Sequence, residues 1–131
     1  MKFFKVFVSL LFVLVLAGCG RVQPILDVEN TPVAYDLQKK QVKMAIIESA
    51  TNRGWVVKNA GSNEVELELD SRGHKASVRV PYSEKFYSIL YVNSENLKAD
   101  AKGNIHRNYN RWINNLNVDI QKNLSFLSIS K

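Results

Sequence analysis

The sequence predicts an α+β domain: a four-stranded antiparallel meander with two helices packed on one face, in the order helix, four strands, helix. Three observations carry this expectation. The stretch Glu64-Val65-Glu66-Leu67-Glu68-Leu69-Asp70 alternates acidic and apolar residues without error, the pattern of a strand with one wet face. Apolar residues at helical spacing flank the strand region, at Val42, Ala45, Ile46 and Ala50 before it and from Ile105 to Leu124 after it. Strands and helices do not alternate one by one, so the crossovers of a parallel sheet find no support.

The chain opens with Lys2 and Lys5, followed by an apolar run from Val6 to Ala17. That run falls short of the about 20 residues a helix needs to cross a bilayer. It ends in Leu16-Ala17-Gly18-Cys19, where small residues precede the single cysteine of the chain. This stretch resembles the signal of bacterial lipoproteins. The resemblance implies that residues 1–18 are removed, that Cys19 is lipidated on its sulfur and new amino terminus, and that the lipid holds the protein to a membrane. Gly20 stands where an aspartate is associated with inner-membrane retention in enteric-type bacteria, so the resemblance points to the periplasmic face of the outer membrane.

Loss of the signal leaves 113 residues, enough for one domain, and lowers the net charge from +6 to about +4. A mildly basic, dispersed balance favours anionic envelope polymers or headgroups and otherwise serves solubility. Basic clusters interleaved with aromatics, which nucleic-acid recognition needs, do not occur. With Cys19 occupied, no thiol remains for a disulfide, a metal or nucleophilic catalysis.

Residues 19–35 carry Pro24 and Pro32 and no sustained period, which predicts a lipidated tether, although Ile25, Leu26 and Val28 are able to dock on the domain. The domain proper spans 36–124. Asp36 is the expected N-cap of the first helix, which runs from Leu37 to Asn52 and stops at Gly54. Leu37, Met44 and Ile47 form a second apolar stripe, read either as a helix contact or as a partner surface.

Trp55 to Asn59 is the first strand, and Ala60 to Asn63 supplies a turn. After the alternating second strand, Ser71-Arg72-Gly73-His74 turns the chain into a third that carries Ala76, Val78 and Val80. Opposed residues share a face, so the register must place Leu69 against Ala76, Leu67 against Val78 and Val65 against Val80. Glu66 then faces Arg79 and Asp70 faces Lys75 on the wet side, as cross-strand ion pairs rather than a metal site.

Pro81 to Lys85 is a second turn before the strand Phe86 to Val92. Registering Val80 with Tyr87 and Val78 with Ile89 puts the tyrosines inward and leaves Leu90 and Val92 outside. Either something covers them or the face is reversed. Asn104 is the expected cap of the last helix, whose stripe is Ile105, Tyr109, Trp112, Ile113, Leu116, Ile120 and Leu124. Its many asparagines are poor helix formers, so packing must hold it. Residues 125–131 are expected to fray.

Chemistry-bearing residues are sparse. His106, Arg107, Asn108 and Arg111 gather at the start of the last helix, where free amides attract anions, and Tyr87 and Tyr91 lie on the neighbouring strand. Packing with satisfied nitrogens explains His106 as well. No G-x-S-x-G, H-E-x-x-H or P-loop spacing occurs, and Glu64, Glu66 and Glu68 line a flat strand instead of facing one another across a cleft. No catalytic residue, metal ligand or cofactor is assigned on this reading.

Arg53-Gly54-Trp55, Val80-Pro81-Tyr82-Ser83, Tyr87-Ser88-Ile89 and Ile105-His106-Arg107-Asn108-Tyr109-Asn110-Arg111-Trp112 resemble a family of small bacterial lipoproteins of uncharacterised function, over roughly residues 36–124. The resemblance implies the same location and a compact α+β domain, and it imports no activity. The leading expectation is a non-enzymatic module presenting Met44, Ile47, Leu90 and Val92 to an envelope protein or cell-wall glycan. The alternatives are a sensor of anionic ligands such as glycans or phosphate at His106 to Arg111, and a hydrolase whose site is invisible in sequence.

Overall fold

The computed structural model describes residues 21–129, so the Cys19 signal lies outside the described residues. The architecture is α+β. The elements are β1 (Val22–Pro24), β2 (Val28–Pro32), α1 (Lys39–Asn52), β3 (Val56–Ala60), β4 (Glu64–Ser71), β5 (His74–Pro81), β6 (Phe86–Glu95), β7 (Asn104–His106) and α2 (Arg107–Ile129). A five-stranded antiparallel sheet has the order β2-β6-β5-β4-β3, and β1 pairs with β7 in a second, two-stranded sheet. The expected meander is thus four of five strands.

The fifth strand comes from the segment expected to be a tether. Thr31 and Pro32 of β2 lie opposite Tyr87 and Phe86 of β6, and Val28 lies opposite Ile89. Prolines do not bar this pairing, because Pro32 ends an edge strand and Pro24 ends β1, where a missing amide leaves no ladder bond broken. Ile25, Leu26 and Val28 pack against the core, as their docking required.

The β4–β5 hairpin follows the expected register throughout, from Val65 opposite Val80 to Asp70 opposite Lys75. Arg72 and Gly73 take φ of 56° and 84°, the left-handed pair that a two-residue hairpin turn demands. The expected ion pairs differ. Arg79 reaches diagonally to Glu64, Nη1 to Oε1 at 2.9 Å, while Asp70 accepts from the Gly73 amide at 3.1 Å.

Between β5 and β6 the register moves by two residues from the expectation, with Val78 opposite Tyr91 and Arg79 opposite Leu90. The turn is tighter than expected, because Ser83 Oγ accepts from the amides of Lys85 and Phe86, and Tyr82 bridges to Tyr87. A slip of two preserves the side-chain face, so Tyr87 and Ile89 still point inward and are buried.

Helix α1 starts later than expected, with Gln38 as N-cap instead of Asp36, and the Gln38 amide donates to Gln41 Oε1 at 2.8 Å. Its inward residues Val42, Ala45, Ile46 and Ala50 are fully buried, and Leu37, expected on the second stripe, joins the core. Helix α2 buries Tyr109, Ile113, Leu116, Ile120 and Leu124. Each buried Ile or Leu contributes about 1.5–3 kcal/mol, against about 0.6 kcal/mol lost per asparagine relative to alanine, so packing outweighs propensity. The helix runs to Ile129 with Leu127 against the core, rather than fraying from Ser125. Ser49 and Asn123 hydrogen-bond between the helices at 2.7 Å, and Arg53 pairs with Asp119 at 2.6 Å.

Candidate functional site

The residues singled out by sequence divide between three places. Ile105 and His106 belong to β7 rather than to the last helix, and the His106 amide donates to the Leu97 carbonyl at 2.7 Å. The His106 ring then caps α2, its Nδ1 accepting from the Asn108 amide at 3.1 Å. That role requires an unprotonated Nδ1. Burial, followed by the charges of Lys98, Arg107, His74 and Arg21, holds the His106 pKa below its ordinary value, in keeping with a neutral ring.

The Arg107 amide donates to the Arg21 carbonyl at 2.9 Å. Two amides at the helix start therefore already have protein acceptors, which removes part of what an anion would find there. Arg107 and Arg111 are exposed and, with Gln23, Asn110 and Asn114, line an open depression of about 290 Å³. The cations are accessible, but the cradle of free amides is reduced.

Tyr87 and Tyr91 do not reach that depression. Tyr87 is buried and its hydroxyl donates to Asn117 Oδ1 at 2.5 Å, while burial pushes its pKa up. Tyr91 shares a hydrogen bond with Ser94 Oγ at 2.8 Å and meets Tyr109 edge to face, with centroids 5.5 Å apart. The Tyr109 hydroxyl is buried without a hydrogen-bond partner, and burial, then Asp27 and Tyr91, raises its pKa steeply.

No family model, curated protein or solved structure matches this chain.

The four apolar residues expected to form one partner surface lie on different sides. Met44 is 55% exposed on α1, and Ile47 beside it packs partly into the core. Leu90 shares a face with Arg79, its cross-strand neighbour, on the side of the sheet away from the helices. Val92 borders a groove of about 360 Å³ there, beside Lys58, Glu66, Glu68, Arg79 and Asn93. The former tether extends the sheet at its edge as β2, and on this face Val92 is 49% exposed and Leu90 half-buried. Val56, opposite Glu68 and 57% exposed, adds an apolar residue to this face that the short first strand gave no reason to assign.

Asn110 is the residue sequence reasoning passed over. Its Oδ1 accepts from the Leu26 amide at 3.0 Å, and its Nδ2 donates to the Pro24 carbonyl at 2.9 Å and to Gln23 Oε1 at 3.2 Å. Asp27 Oδ1 accepts from the Tyr91 amide and Ser88 Oγ from the Asn30 amide, so side chains supply what β1 and β2 lack in ladder bonds. Among six asparagines in one helix, only the place of Asn110 one residue after Tyr109 in the buried stripe hinted at an inward role.

Proposed function

We propose that the protein is a lipid-anchored lipoprotein on the periplasmic face of the outer membrane, acting as a non-enzymatic binding module for an envelope protein or cell-wall glycan. The observation that carries the reading is Leu16-Ala17-Gly18-Cys19 directly ahead of a folded domain that begins at Val22. The uncovered sheet face supports the binding role, because it places Val56, Leu90 and Val92 among Glu66, Glu68 and Arg79. Apolar anchors within a charged rim suit a protein partner better than a small ligand.

A photo-crosslinking amino acid at Val92 in intact cells tests this. A discrete adduct with an envelope component supports the module. No adduct there, together with an unchanged envelope after deletion of the gene, counts against it.

A second reading, anion binding at Arg107 and Arg111, draws on the exposure of both guanidinium groups beside one depression. Titration with inorganic phosphate and muramyl ligands should shift the Arg107 to Arg111 amides, and a flat response disposes of the idea. A hydrolase draws less support, since His106 Nδ1 accepts from the Asn108 amide, which puts the proton of the neutral ring on Nε2 and leaves it no free basic nitrogen.

A further inference from the structure

The chain enters its fold at a basic end of the domain, and we infer that this end rests on the anionic phospholipid headgroups of the membrane that holds Cys19. The inference rests on the lipid-anchor reading above and adds an oriented surface to it. The loops at this end are tied to one another by hydrogen bonds. The Asn96 side chain donates to the Gly73 carbonyl at 2.7 Å, His74 Nδ1 meets the Asn96 carbonyl at 2.8 Å, and the His106 amide donates to Leu97 at 2.7 Å. The Arg107 amide donates to Arg21 and the Ile25 amide to Gly103, both at 2.9 Å.

These ties bring Arg21, Arg72, Lys98, Lys102 and Arg107 together, all exposed. Among the described residues the ion pairs Arg53 with Asp119 and Arg79 with Glu64 use none of the five. The carboxylates nearby are Asp70, Glu95 and Asp100, and two of them face loop amides: Asp70 accepts from Gly73, and Asp100 from Lys102 and Asn104. Cations remain in excess. Arg72 and Lys98 moreover hold φ of 56° and 57°, positions where glycine or asparagine costs less.

Reach makes the contact hard to avoid. Cys19 precedes Arg21 by two residues, at most about 7 Å of extended chain. The Arg21 carbonyl is bonded to the start of α2, so no long tether separates lipid from domain. Arg21 and the start of α2 therefore stay within about one Debye length, about 8 Å at physiological salt, of the lipidated residue, and the loop ties put the other cations at the same end of the domain. Each cation at that distance strengthens association with an anionic leaflet about fivefold.

The test uses the mature, lipidated protein in vesicles of phosphatidylcholine alone or of phosphatidylcholine and phosphatidylglycerol in equal parts. Fluorophores go on Ala101→Cys at the basic end or Ser62→Cys in the turn at the opposite end of the sheet, with headgroup spin-labelled lipid as quencher. The expected result is strong quenching at position 101 and little at 62 in the anionic vesicles. Joint Arg72→Gln, Lys98→Gln and Lys102→Gln substitution, or high salt, should reduce quenching at 101 severalfold without lowering Tm. Equal quenching at the two positions, or quenching at 101 indifferent to anionic lipid and to the three substitutions, overturns the proposal. Intact mass reports the lipid on Cys19 separately, so a missing acyl chain counts against the anchor alone. Flotation of the unlipidated chain then decides the surface: binding to anionic vesicles only supports it, and binding to neither kind overturns it.

Discussion

Asn110 in α2 accepts the amide of Leu26, 84 residues earlier in the chain, while donating to the carbonyl of Pro24. One carboxamide thereby does for the incoming segment what a neighbouring strand would do, offering an acceptor and a donor to a single stretch of backbone. Asn110 is only 9% exposed, so water does not readily replace either bond.

Substituting Asn110→Ala should cost about 1–3 kcal/mol, because the Leu26 amide and Pro24 carbonyl lose their partner in a partly buried place. Urea unfolding measures the loss, and hydrogen exchange at Leu26 and in β1 should accelerate more than in β4 or β5. Unchanged exchange at Leu26 contradicts the clamp.

Histidine protonation should weaken the fold below neutral pH. The folded His106 pKa lies below its ordinary value of 6.5, so on acidification the unfolded chain takes up the proton first. Stability from this group is complete above about 6.5 and declines as pH falls through that value. Protonation also turns Nδ1 from acceptor to donor and removes the bond from the Asn108 amide. His106→Asn, which retains a capping acceptor, should show a flatter fall of Tm between neutral and mildly acidic pH. An identical slope in the two proteins argues against the cap.

Two tyrosines make opposite predictions under the same substitution. Tyr109→Phe removes a buried hydroxyl that has no partner, and should be neutral or stabilising by up to about 1 kcal/mol. Tyr87→Phe removes the donor to Asn117 and should destabilise by about 1 kcal/mol. Denaturant midpoints of the two variants, taken side by side, check the contrast, and a loss at Tyr109 as large as that at Tyr87 refutes it.

Arg72 occupies a hairpin position that asparagine suits better. Arg72→Asn should raise stability by a few tenths of a kcal/mol, up to about 1, by relieving a left-handed backbone. A fall in Tm instead means that the Arg72 side chain supports the turn.

Sequence patterning was most legible where one periodicity acted alone. The β4–β5 register followed from alternation, since any odd slip would have turned Leu67 and Leu69 to water. The buried stripe of α2 was equally plain. What escaped was set by partners distant in the chain. Gln23 to Thr31 has no period of its own, because its bonds go to Asn110, Tyr91 and Ser88. His106 read as helical because Ile105 continues the spacing of the stripe, whereas pairing with β1 draws both residues into a strand. The candidate site was legible only as residue types. Arg107 and Arg111 share a depression, but Tyr87 and Tyr91 serve packing, and the four apolar candidates do not form one face.

Lipidation of Cys19 is the claim on which location, orientation and role all depend. Metabolic labelling with palmitate in cells producing the protein or its Cys19→Ala variant tests it most directly. The account predicts label on the natural protein and none on the variant, which should keep an uncleaved signal. Label that persists after Cys19→Ala, or a natural protein that carries none and retains Met1, contradicts it.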